Sequence, residues 1–153
     1  MGVEILTRET VSRAASEILP TETLTAVLEK LLSVLEISDR ELSVLLTDDE
    51  EIQRLNQFYR GKNRPTDVLS FSLREGEDDT FAEDLLGDVA ISIETTLRQA
   101  AQLEVTPPEE LLRLAIHGTL HLMGFEHENV SDDIAAKMRQ KEEELFEMLS
   151  AQL

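Results

Sequence analysis

The stretch that decides the fold is PEELLRLAIHGTLHLMG, residues 108–124. Pro107 and Pro108 suit the first turn of a helix, where a missing N–H costs nothing. After Arg113 no charge appears up to Gly124, so this helix is apolar nearly all round and is predicted to be buried. Upstream, residues 95–104 read as another helix. Before it GDVAISIE (87–94) alternates Val89, Ile91 and Ile93 along one side of a strand. VLSFSL (68–73) and ELSVLLT (41–47) alternate in the same way, and VEIL (3–6) forms a short first strand. Between them, Leu24, Val27, Leu28, Leu31, Leu32 and Leu35 have helical spacing, with Thr21 or Thr23 as N-cap. Asp48 or Asp49 caps a helix to about Tyr59 that buries Ile52, Leu55, Phe58 and Tyr59. Downstream, Ser131 or Asp132 opens a last helix to about 150, packed through Ile134, Met138, Leu145 and Leu149. Strands early and helices late predict an α+β fold: a mixed sheet of about four strands packed with about five helices.

At 153 residues the chain fits one domain, 1–153, and can bury a core without staples. It has no cysteine, which rules out disulfides and thiolate metal sites and suits a reducing cytoplasm. Its first residues lack the basic and apolar regions of a signal peptide. No apolar stretch approaches the ~18 residues of a membrane span. The expected setting is cytoplasmic, with no membrane partner. The acidic run 74–84 reads as a mobile loop.

A net charge of −18 argues against a general nucleic-acid coat, and no DNA partner is expected. The charge is uneven, however. Residues 1–53 hold four basic and twelve acidic side chains, and residues 75–153 hold five and nineteen. Residues 54–74 instead carry Arg54, Arg60, Lys62, Arg64 and Arg74 against Asp67 alone. This basic island is either a solvated turn or a phosphate-binding element. Thr66 and Asp67, within it, read as caps of the turn entering the next strand.

All three histidines lie in HGTLHLMGFEH, residues 117–127. His117 and His121 are four apart and share one helix face. His127 follows Gly124, a residue able to end the helix and turn the chain back. Three imidazoles with a vacant fourth corner describe an open zinc site at the C-terminal end of the buried helix, one ion per chain. Imidazole also suits nickel. The spacing is that of the metzincin motif HExxHxxGxxH, except that Gly118 stands where its glutamate base would be. A peptidase route through that base is therefore disabled. Zinc can still lower the pKa of a bound water to about 7, and a neutral ligand shell favours an anionic substrate such as a phosphodiester. Glu126 and Glu128 are either partners fixing the His127 tautomer or exposed acids.

LNQFYRGKNRPTDVLSF (55–71), LGDVAIS (86–92) and HGTLHLMGFEH (117–127) together resemble the YbeY family of bacterial endoribonucleases, the 16S rRNA maturation factors. The likeness runs over about residues 41–150. It implies a mixed sheet with flanking helices and one metal held by His117, His121 and His127. It also implies an RNA substrate and a basic residue important for cleavage at Arg60. Work on the 3′ end of 16S rRNA and in ribosome quality control follows from it, with small-subunit proteins as partners. Glu126 stands where the family usually has aspartate, and Ser72 where it often has proline; neither is a ligand. Apart from the resemblance, the fork of Arg60 donors can hold two phosphate oxygens, although an arginine at a helix C-terminus also complements the dipole.

The resulting expectation is a zinc-dependent, single-strand-specific endoribonuclease. His117 and Arg60 are its catalytic residues, and Arg60, Lys62 and Arg64 hold the substrate. A metallopeptidase-like hydrolase and a non-catalytic assembly factor with a structural metal are the alternatives.

Overall fold

The computed structural model describes residues 2–71, 85–124 and 131–153. Its strands are β1 (Val3–Thr7), β2 (Glu41–Thr47), β3 (Val68–Phe71) and β4 (Leu85–Ser92). Its helices are α1 (Ser12–Ile18), α2 (Thr21–Val34), α3 (Asp49–Arg60), α4 (Ile93–Leu103), α5 (Pro107–Leu122) and α6 (Asp132–Ser150). The sheet order is β1-β2-β4-β3. β1, β2 and β4 run parallel, and β3 lies antiparallel on the edge of β4. This is the expected α+β architecture with a mixed four-stranded sheet.

Period-two alternation assigns the two faces of the sheet. One face presents Ile5, Leu42, Val44, Leu46, Val68, Val89 and Ile91 to a core shared with α2, α5 and α6. The other presents Leu45, Leu69, Phe71 and Ala90 to Ile52 and Leu55 of α3. α5 is the most enclosed helix, as its lack of charge predicts. Leu111, Leu112, Ile116 and Leu120 are at most 1% exposed, and each contributes about 2 kcal/mol by leaving water. Together they outweigh the ~1 kcal/mol that Gly118 costs in helix propensity. Thr106 and Glu109 form a capping box at its start.

Helix starts follow their polar caps. Asp48 caps α3 by accepting from the Glu51 N–H at 2.8 Å, and Ser131 caps α6 from Ile134. Ser92 caps α4, so Ile93 is already helical rather than the end of a strand. α2 differs from expectation: Pro20 occupies its N-cap position and Thr21 is its first residue, with no threonine side-chain cap.

α1, preceded by a 3-10 turn at Glu9–Val11, joins the five helices expected, so six α-helices occur among the described residues. α1 is one short stretch held by Val11, Ala15 and Ile18. Two further expectations are corrected. Phe58 is 80% exposed and not on the buried side of α3, because that side is filled by Ile52 and Asn56. Ile134 is half-exposed, in the first turn of α6, where only Ala135 packs inward. The acidic run 74–84 lies outside the described residues. No described helix is long and apolar enough to cross a membrane.

Candidate metal centre and basic island

His117 and His121 stand one turn apart near the C-terminal end of α5, with their Nε2 atoms 3.0 Å apart. Their rings meet edge to face, centroids 4.5 Å apart. The Nδ1 of His117 faces the Glu142 carboxylate of α6 at hydrogen-bond distance. A carboxylate there accepts a hydrogen bond from Nδ1–H and so leaves the lone pair on Nε2. Two ligands at 2.0–2.1 Å from one tetrahedral ion are about 3.3 Å apart, so two nitrogens at the observed spacing fit a shared cation. Gly124, at φ 95°, follows the helix as expected. His127, Glu126 and Glu128 lie outside the described residues, and no group of three metal-ligating side chains occurs among those described.

Gly118 is required by close approach. A Cβ at this position would lie 2.6 Å from Val89 Cγ1 and 3.1 Å from Val68 Cγ2. Valine methyls on a strand cannot swing aside as the end of a long side chain could. Residue 118 therefore faces the sheet, and a glutamate base has no room there.

The basic island meets this helix through β3. Arg60 ends α3, Gly61 caps it in the left-handed conformation, and the Arg60 guanidinium donates to the Ser70 carbonyl. The Ser70 hydroxyl donates to the Gly118 carbonyl at 2.7 Å. One strand residue thus joins the arginine to the peptide next to His117. Lys62 and Arg64 sit on the exposed turn beyond Gly61. That turn is clamped by buried Asn56, whose amide donates to the Arg64 carbonyl at 2.9 Å. Asp67 accepts from the Val68 N–H at 2.7 Å and from Gln99, the structural role expected of it.

Glu142, Ser70 and Asn56 are the contributors that reading the sequence missed. Glu142 had a signal: it sits between Met138 and Leu145, a carboxylate on the apolar stripe of α6. Ser70 and Asn56 had none, since their contacts come from tertiary packing.

The fold has a relative among solved structures. The solution structure of a Thermotoga maritima protein aligns with a TM-score of 0.55 and 30% identity, over 97% of this chain and 92% of that one. The family model described as Endoribonuclease YbeY matches residues 7–150. A protein of that name from Syntrophus aciditrophicus is 46% identical over 79% of this chain and 76% of its own length. One from Syntrophotalea carbinolica is 41% identical over 88% and 90%. With the family model spanning residues 7–150 and these relatives more than 40% identical over most of its length, this chain belongs to the YbeY endoribonuclease family.

Proposed function

We propose that this chain is a zinc-dependent endoribonuclease that cuts single-stranded RNA, with His117, His121 and His127 holding one ion; nickel suits the same ligands. Its proposed substrate is the 3′ region of 16S rRNA, in maturation and ribosome quality control, within the cytoplasm and beside small-subunit proteins. The observation that carries the reading is the pairing of two converged imidazoles with an arginine tied to the same helix through Ser70. When bound, the ion supplies Lewis acidity and a nucleophile at neutral pH.

The chain's own residues do the rest. Glu142 orients His117 as a positioning residue. Arg60 is always charged, which supports a role in stabilising negative charge developing on a phosphate. Lys62 and Arg64 hold the flanking backbone. The steric exclusion of any side chain at 118 disfavours the peptidase alternative.

Elemental analysis of untagged protein should find about one metal per chain. Chelation, His117→Ala and Arg60→Ala should each abolish cleavage of a single-stranded RNA. Cleavage surviving all three would defeat the proposal.

A further inference from the structure

We propose that Phe58 is a platform on which a base of single-stranded RNA stacks as the strand crosses the basic turn; this rests on the ribonuclease reading above. Phe58 is 80% exposed although it lies in α3, one turn after Arg54 and two residues before Arg60. Its ring meets Tyr59 edge to face, with centroids 4.9 Å apart. Tyr59 in turn stacks on Phe71 of β3, centroids 4.4 Å apart and planes 21° from parallel. The chain has only five phenylalanines and one tyrosine, and three of those six rings are tiered here.

The tier explains why the outer ring is held in place rather than folded inward. Tyr59 and Phe71 occupy the space beneath it, and its own surface faces water. An isolated exposed phenylalanine needs no explanation, but this one is set in the single basic segment of a strongly acidic chain. Arg54 is engaged by Glu50 at 3.1 Å. Arg60, Lys62 and Arg64 are exposed around the turn that follows. Aromatic rings beside cations are the two elements that unpaired nucleic acid requires: a face for a base, and charge for the neighbouring phosphates. A duplex presents no base face, so the ring also supplies a reason to prefer single strands. A protein partner would use the ring without needing the cations.

The test uses the full chain and a single-stranded oligouridylate carrying 2′-O-methyl groups to block cleavage through the 2′-hydroxyl. The chain contains no tryptophan, so Phe58→Trp introduces a single tryptophan at the platform. Its emission should be quenched as the oligonucleotide binds and unaffected by duplex RNA. Phe58→Ala should weaken binding about tenfold, as loss of one stacked base does, while the dependence on salt stays unchanged. Lys62→Ala should instead flatten the logarithmic salt slope by about 0.7. Unaltered affinity in Phe58→Ala, or unmoved tryptophan emission while wild-type protein binds, overturns the platform, including the case in which the ring docks a protein. Failure of the wild-type chain to bind any RNA overturns the ribonuclease reading instead.

Discussion

On the proposed reading, Glu142 governs a metal bond that it does not itself make. Its carboxylate receives His117 Nδ1–H, so the imidazole is fixed in the tautomer that leaves Nε2 available. Glu142→Gln keeps the size of the side chain but can present an N–H to Nδ1, which favours the opposite tautomer. Metal affinity is expected to fall roughly 10- to 100-fold, with far-ultraviolet circular dichroism unchanged. Competition with a chromophoric chelator measures the fall, and unchanged affinity would remove Glu142 from the site. The pairing of His117 and His121 was legible because helical spacing alone brings them together. The partner of His117 was not, since 25 residues separate it from Glu142 and only the docking of α6 closes that distance.

At the scale of elements, the same helix carries a cost. Glu110 of α5 is 2% exposed, and one of its carboxylate oxygens has no hydrogen-bond partner among the described residues. Arg113 is 3.8 Å away and lies over the Phe146 ring. Burial pushes the Glu110 carboxyl above its ordinary 4.5 and Asp67 adds to this, against the opposing pull of Arg113. A carboxyl raised in the folded state binds its proton more tightly there than in the unfolded chain. It therefore removes stability as pH rises through its folded value. Glu110→Gln should stabilise the protein at neutral pH by on the order of 1 kcal/mol. The gain should vanish below pH 4.5, the ordinary value of the group.

The start of α3 behaves in the opposite way. The Glu51 N–H and the Thr10 hydroxyl hold Asp48 below its ordinary 3.8. Asp49 is also lowered, because Ser92, Thr95 and Arg98 overcome its burial. Their contribution is present above pH 3.8 and is lost as pH falls, in both the wild type and the Gln variant. Urea unfolding across pH separates the two limbs. Element boundaries were legible where polar caps or prolines announce them, at Asp48, Pro107 and Ser131. They were obscure at Ser92, where an apolar alternation runs straight into a helix and the hydroxyl cap alone decides.

For the whole molecule, sheet order and the reversal of β3 were not written in any local pattern. They arise from which strands can cover α5 and α3 on opposite faces. The electrostatics were legible. A −18 chain with one basic turn should bind RNA through few phosphates. With Arg60, Lys62 and Arg64 as the contacts, the logarithmic affinity should fall with logarithmic salt at a slope of about −2 for single strands. Titrations at several salt concentrations measure it. A slope several times steeper would place the contacts elsewhere.

On the proposed reading, the bond between α5 and α6 also bears on when the protein can hold its ion. A nascent chain that has completed α5 already carries both imidazoles but lacks the acceptor for His117 Nδ1. Ion capture then waits both for His127 to emerge and for α6 to dock, so an unfinished copy is poorly armed against the ribosome still making it.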